Sequence, residues 1–417
     1  MKSVSIVGGG AAGLAAAVFL TRAAARRGLS VSVTVFEKAP RVGRRLLATG
    51  NGTCNITNLA ADTPRHYHGQ NPAFARPALE ALPPAAAMEF FASVGVLCRA
   101  RADGRVYPLC EQAAAVLDCL RAECAAAGIT IACDAAVTAV RRERDGFVLR
   151  TADGARHRAD RVLIAAGGAA APNLGGGSDG YALLEALGHH KTPLFPAIVP
   201  LRADSPWLRA VKGLRADATV TLRLDGQPVA AATDELLFAD YGLSGPAAMA
   251  VSRAAGDWER QKRGVLTAEI DLLPNWDTAA LAAEIRRRRT LPGRTMEDLL
   301  TGLLNKRIGQ TILRAAEILP LGRAADTLTD REAERAARLI RRWTFPLTGT
   351  RGLAAAQVTA GGILTADFDP LTLRSRRVAG LYAAGEVLDI DGDCGGYNLQ
   401  WAWSSAHAAA EAIAAEL

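Results

Sequence analysis

The stretch VSIVGGGAAGLAAAVFLTRAAARRGLSVSVTVFE, residues 4–37, decides the fold. Val4–Val7 is a β-branched run that enters Gly8-Gly9-Gly10-Ala11-Ala12-Gly13. An Ala/Leu-rich helical segment follows to about Arg27 and is ended by Gly28. Val31–Phe36 reads as a second strand with Glu37 at its tip. Strand, glycine turn, helix, strand and acid in that order form a βαβ dinucleotide-binding fingerprint. Gly8 allows the tight turn, and Gly10 bares backbone N–H groups to a pyrophosphate. Gly13 lets the helix pack closely on the strand, and the helix N-terminus supplies partial positive charge. Glu37 is placed to accept from ribose hydroxyls and to repel a 2′-phosphate. The pattern does not separate FAD from NAD.

The remainder of the chain sets bounds on the class. Its 417 residues, 50% of them hydrophobic, suggest two or three domains with large cores and exclude a disordered chain. The apolar run AAGLAAAVFL, 11–20, is too short to span a bilayer, and no signal peptide precedes it. A soluble cytoplasmic protein with no membrane partner is expected. The net charge of +7 is mild for this length, and Lys supplies only six of the 49 basic residues. Arg286–Arg289 follow Glu284 in a helix-like segment and read as a solvated face, so nucleic acid is not the expected partner. The seven cysteines include no CxxC pair, which points to reduced thiols and no metal site.

Along the chain, a helix is expected at Met88–Val94, a turn at Asp103-Gly104, a helix over Gln112–Ala127 and a buried strand at Val162–Ala166. From about Pro193 the character changes. Residues 196–272 read as a small antiparallel sheet and 277–343 as largely helical, and strands resume at Gln357–Val358 and Gly380–Ala384 before a final helix from about Asn398. The fold class is therefore α/β: a Rossmann-type nucleotide domain made by both chain ends (1–192 and 351–417), carrying an inserted β-rich cap (193–275) and helical subdomain (276–350).

GRRLLATGNGTCNITN at 43–58 resembles a signature of the BaiN-like (aminoacetone-oxidase-like) bacterial FAD-dependent oxidoreductases, distant relatives of the fumarate reductase flavoproteins. The likeness continues through GRVYP at 104–108, GGAAAPNLGGGSDGY at 167–181 and ELLFADYGLSGP at 235–246. It extends to TGTRGLAAAQVTAGGI at 348–363 and GLYAAGEVLDIDGDCGGYNLQWAWSSA at 380–406. The resemblance implies FAD. Its adenosine end would lie on Gly8, Gly10, Ala11, Ala12, Gly13, Glu37 and Lys38. Further contacts would come from Arg44, Arg45, Leu46, Gly50, Asn51, Gly52, Cys54 and Asn55, then from Val137, Ala166, Gly167 and Gly168. Gly385, Glu386, Asp391, Gly395, Gly396, Tyr397, Asn398 and Leu399 would close over the ribityl chain and flavin. Independently of the family, Gly395-Gly396 offer bare N–H groups ahead of a helix, whose N-terminus would stabilise charge on a reduced ring. The chain departs from the family at Ala239-Asp240, where many members have Thr-His, and at Cys110, where Ser is common.

No second strand–GxGxxG–helix is present, so NADH or NADPH, if used, is a transient donor. The expected activity is hydride transfer between flavin N5 and a small organic substrate, at a conjugated C=C or an amine or imine carbon. An NAD(P)H-linked reductase is favoured over an oxidase. An RNA-modifying flavoprotein and a flavin redox sensor stand as alternatives. Four residues are candidates for chemistry: Cys54 as a thiolate, Arg105 to orient a carbonyl or carboxylate, Tyr107 as a proton donor, and Tyr397 against flavin or substrate. Cys394 is a conceivable partner for Cys54. Of Trp401 and Trp403, one is expected in the core and the other along the cofactor pocket. His189-His190 follow Gly188 at a helix end and are given a surface or helix-dipole role, with no chemistry.

Overall fold

The computed structural model describes all residues, Met1–Leu417. They form two units: Met1–Phe195 with Gln357–Leu417, and Pro196–Ala356.

In the first unit, β1 (Lys2–Val7), α1 (Ala11–Arg26) and β2 (Val31–Phe36) follow the fingerprint. The strands pair in parallel with Ser5 opposite Thr34. The sheet has five parallel strands in the order Leu381–Ala383, Arg161–Ile164, β1, β2, Thr130–Ala132. Arg161–Ile164 and Leu381–Ala383 are continuously apolar and buried at Val162–Ile164 and Leu381–Ala383, as strands covered on both faces are, whereas β1 and β2 alternate, with Val4, Ile6, Val33 and Val35 buried between Ser5, Ser32 and Thr34. One cover is α1, whose buried face is rich in alanine, and the helix Tyr397–Ala415 packs against it. Small side chains there let the two backbones approach.

Two further pieces of this unit shape the site. Thr57–Asn58, Arg105–Pro108 and Cys98–Ala100 form a three-stranded antiparallel sheet, with Arg105–Pro108 in the middle. Tyr67–His68 pairs with Asp391–Gly392 in a two-residue antiparallel ladder.

The second unit differs from the expected small sheet plus separate helical subdomain. Six strands close into a barrel in the order Leu201–Ala203, Gly242–Ser244, Gln227–Ala239, Arg215–Leu224, Leu266–Asp271, Trp343–Thr350. The last strand comes from beyond the helices, so the unit cannot be divided at 275/276. Helices Thr278–Arg289, Lys306–Ala315 and Asp330–Arg341 bury Leu281, Ile285, Ile312 and Ala337 in one core with Val220, Ile270, Trp343 and Phe345 from the barrel. The return to the first unit begins at Gln357 rather than at 351. Within the arginine run, Arg287 and Arg288 both bind Glu284, and Arg289 binds Asp330 at 2.7 Å. No helix of either unit is long and apolar enough to cross a membrane.

Candidate functional site

The glycine turn has the geometry that each glycine's assigned task requires. Gly8 has φ +112, and a Cβ there would lie 2.4 Å from the Ala165 carbonyl oxygen. A Cβ on Gly13 would lie 1.8 Å from Gly8 O, so the helix can start this close to the turn only with glycine. A Cβ on Gly10 would meet nothing within 4 Å. Gly10 caps α1 without a side-chain acceptor, and the first turn holds no acid. The N–H groups of Ala11, Ala12 and Gly13 therefore begin the helix without an intrahelical acceptor, beside open space. Glu37 accepts from Gly9 N at 2.9 Å and from Ala39 N at 2.8 Å. Each of its oxygens keeps a second lone pair for a ligand hydroxyl.

Around this turn several expected contacts are engaged within the protein. Lys38 Nζ lies 2.5 Å from Asp179 Oδ2, and Arg44 Nη2 donates to Asn173 O at 2.7 Å. Arg45 pairs with Glu386 Oε2 at 2.7 Å and donates to Gln357 O at 2.9 Å. Burial pulls the Arg45 pKa down, but the Glu386 carboxylate outweighs this and leaves the guanidinium above its ordinary value. The other Glu386 oxygen accepts from Thr359 N at 2.8 Å. Gly168 must lack a side chain because its Cβ would sit 2.6 Å from that oxygen, and a Cβ on Gly167 would lie 3.3 Å from Arg45 Nη1. Ala166 is half-buried just before them and Leu399 packs on the same core, whereas Leu46 and Val137 lie within it. Their side chains pack in that core, so any contact of Leu46 or Val137 with a ligand would come from the backbone.

The segment 50–55 turns sharply, with Gly50, Asn51, Gly52 and Cys54 all at positive φ. Cys54 is fully buried, and this burial pushes its thiol up to about 12 against a weaker opposing hydrogen bond from Thr49. A neutral thiol in the core is no thiolate nucleophile, so the structure corrects that expectation. All seven cysteines are free. The next residue carries an orphan: Asn55 Oδ1 is buried with no hydrogen-bond partner, 3.0 Å from where a Cβ on Gly396 would lie. A Cβ on Gly396 (φ +103) would lie 2.5 Å from the Thr57 backbone, and the residue caps the helix Tyr397–Ala415 with no side-chain acceptor. A ring carrying a donor N–H for Asn55 Oδ1 and acceptor oxygens for the bare N–H groups would suit this helix start, and a flavin pyrimidine carries both. The residues present fit FAD at both ends.

The register of the three-stranded sheet then assembles the chemistry. Asn58 faces Arg105, Val106 is buried, and Arg105 and Tyr107 therefore share the opposite face. Arg105 passes Gly395, with its Nε 3.2 Å from a Cβ there, and Asn58 Nδ2 donates to Gly395 O at 3.1 Å. The Arg101 guanidinium lies 4.0 Å over the Tyr107 ring. Burial raises the Tyr397 phenol, Asp393 adds to this, and Arg65 and Arg105 oppose it. Tyr107 is likewise raised by burial and opposed by Arg105 and Arg101. Three of the four expected chemical residues, Arg105, Tyr107 and Tyr397, thus share one electrostatic neighbourhood.

Other expectations change. Asn398 accepts from Gly392 N and donates to Gly392 O at 2.8 Å, so its side chain clamps the loop rather than facing a ligand. Trp401 and Trp403 are both buried, donating to Gly385 O and Ile56 O, so neither lines a pocket. Asp391 is buried in the ladder. His189 is buried against Phe368, with Leu184 O and Ser375 as ring partners, not at the surface. In the second unit Asp240 lies 2.5 Å from Lys212, which holds its carboxyl below the ordinary range; a group kept ionised does not deliver a proton at neutral pH. The sequence reading missed His66, His68 and Asp393, where one carboxylate meets two imidazoles. The i, i+2 histidine spacing was the available signal.

The model of the HI0933-like protein Rossmann domain matches residues 2–412. The chain belongs to this family. It is the BaiN-like group of FAD-dependent oxidoreductases that the motifs resembled. A 3-dehydro-bile acid delta(4,6)-reductase of Clostridium scindens is 37% identical over 99% of both chains. A ribosomal RNA dihydrouridine synthase of Haemophilus influenzae is 33% identical over 98% of this chain and 97% of that one. Among solved structures, a 3-ketosteroid-delta4-(5alpha)-dehydrogenase from Rhodococcus jostii RHA1 has TM-score 0.49 at 16% identity, covering 99% of this chain and 97% of that one. Likeness as distant as the last speaks to neither cofactor nor substrate.

Proposed function

We propose that this protein is an FAD-dependent reductase of a carbon–carbon double bond conjugated to a carbonyl in a small organic molecule, with NADH or NADPH as transient donor. The convergence of Arg105, Tyr107 and Tyr397 at the start of an uncapped helix carries the reading. FAD would be held by the N–H groups of Ala11–Gly13 at its pyrophosphate, by Glu37 at its ribose, and by Asn55 and the Gly396 helix start at its ring. Bound there, FAD supplies the hydride that arrives at the β-carbon. Arg105 donates to the substrate carbonyl oxygen and draws electron density from the double bond. Tyr397, kept protonated by burial, gives its proton to the α-carbon. Hydride and proton together saturate the bond.

The names of both curated relatives describe saturation of a carbon–carbon double bond conjugated to a carbonyl, in a 3-oxo steroid nucleus and in a uracil ring. This favours the C=C reading over an amine or imine. The second name also keeps uridine in RNA as a second reading. The test is anaerobic: bleach the yellow protein with NADH or NADPH, then add a 4,6-dien-3-one steroid or ribosomal RNA. Rapid reoxidation by the dienone is expected, and Tyr397→Phe slows that step about a hundredfold while leaving bleaching unchanged. Reoxidation by RNA alone selects the second reading. A colourless protein that takes up no FAD overturns both.

A further inference from the structure

His66, His68 and Asp393 are brought together by the ladder between Tyr67–His68 and Asp391–Gly392, extended by a hydrogen bond from Asp393 N to His66 O at 2.9 Å. Asp393 Oδ2 lies 2.8 Å from His66 Nδ1, and Oδ1 lies 2.7 Å from His68 Nε2. A carboxylate only accepts, so both of those ring nitrogens carry hydrogen. His66 Nε2 faces Arg65 Nε at 3.3 Å and so accepts. The network therefore assigns His66 the neutral Nδ1–H tautomer. Its ring lies on Tyr397, with centroids 4.5 Å apart and planes 27° apart.

We infer that Asp393 is a positioning residue for Tyr397: by bridging two imidazoles it holds His66 as a flat, neutral platform on which the phenol ring rests. The inference builds on the reading of Tyr397 as the acid. Arg65, His66 and Tyr67 face Tyr397 from the segment before and within the ladder, Arg105 from the three-stranded sheet, and Asp393 from the loop leading into the helix. The two arginines favour the phenolate, while burial and Asp393 favour the phenol. The carboxylate thus acts twice, fixing where the ring lies and holding its proton until substrate arrives.

Asp393→Asn leaves one acceptor oxygen for two donor imidazoles and removes the charge. In the flavin-loaded protein, tyrosinate absorbance is titrated as a difference against the Tyr397→Phe counterpart of each background. The Tyr397 midpoint is expected to move to lower pH in Asp393→Asn and to return in Asp393→Glu, which restores the charge. Turnover of the dienone is expected to lose about a hundredfold in kcat with KM little changed. A folded Asp393→Asn protein with an unmoved midpoint overturns the inference, even if kcat falls. Should that variant not fold, nitrogen-15 spectra of the wild-type histidines decide: Nδ1–H on His66 is expected, and the opposite tautomer refutes the platform. If Tyr397→Phe reduces dienone normally, the acid assignment has failed instead.

Discussion

Replacing Gly10 with alanine adds one methyl group where the protein has nothing within 4 Å. The residue sits at φ −88 and ψ −164, which alanine adopts without strain. Alanine restricts the unfolded chain, worth about 0.4–1 kcal/mol, and is a poorer N-cap than glycine by a similar amount. The two effects nearly cancel, so the melting temperature of the flavin-free protein should barely move. The cofactor has no such freedom. If its pyrophosphate fills the open space at Gly10, a methyl there forces it away from the N–H groups of Ala11–Gly13. Losing two hydrogen bonds to a charged group, at about 1.5–3 kcal/mol each, weakens binding by about two to four orders of magnitude. The assay titrates flavin-free protein with FAD, following quenching of flavin fluorescence, beside a thermal melt. Gly13→Ala is the contrast: its Cβ would strike Gly8 O at 1.8 Å, so protein stability and FAD binding should fall together. A Gly10→Ala protein that binds FAD like the wild type refutes this placement of the pyrophosphate.

Other outcomes follow from single contacts. Glu386→Gln leaves Arg45 mostly buried without its carboxylate and should cost about 2–4 kcal/mol in urea unfolding, below the fully buried range because Arg45 keeps 26% side-chain exposure. Adding Arg45→Met should recover most of that loss; no recovery would mean the pair is not the cause. Burial lowers the pKa of His189 below its ordinary 6.5. The unfolded chain therefore takes up the proton more readily. The stability contributed by neutral His189 is present above pH 6.5 and is lost as pH falls through its folded value. His407 has the same sign. Denaturant unfolding at neutral and mildly acidic pH should show a shallower pH dependence in His189→Gln, and an unchanged dependence would assign the effect elsewhere.

How much the sequence revealed depended on the range of the interactions involved. Gly8, Gly10 and Gly13 act on backbone within a few residues, so their roles are readable from spacing alone, as is Glu37 at the tip of β2. The short apolar run Val162–Ala166 was readable as a buried strand because a strand covered on both faces needs no alternation. Barrel closure depends on Trp343–Thr350 pairing with both Leu266–Asp271 and Leu201–Ala203, partners far away along the chain, and no local pattern encodes it. Cys54 and Leu46 lay in signature segments, yet their side chains turn into the core, because a motif gives position along the chain and not direction. Asp393 reaches His66 across 327 residues through a ladder only two residues long, too short to leave a strand-like pattern.

The closed barrel has a consequence for solubility. Each of its six strands has a neighbour on each side, but Gln227–Ala239 meets Gly242–Ser244 only through Leu237–Ala239, so residues 227–236 pair with Arg215–Leu224 alone and keep one row of amide and carbonyl groups unpaired in the sheet. The parallel sheet does have two outer strands, Leu381–Ala383 and Thr130–Ala132, but each is only three residues long. Neither makes a good template for adding a strand from a second molecule. Strand-to-strand association of a preparation stripped of its flavin should therefore involve residues 227–236 rather than the parallel sheet.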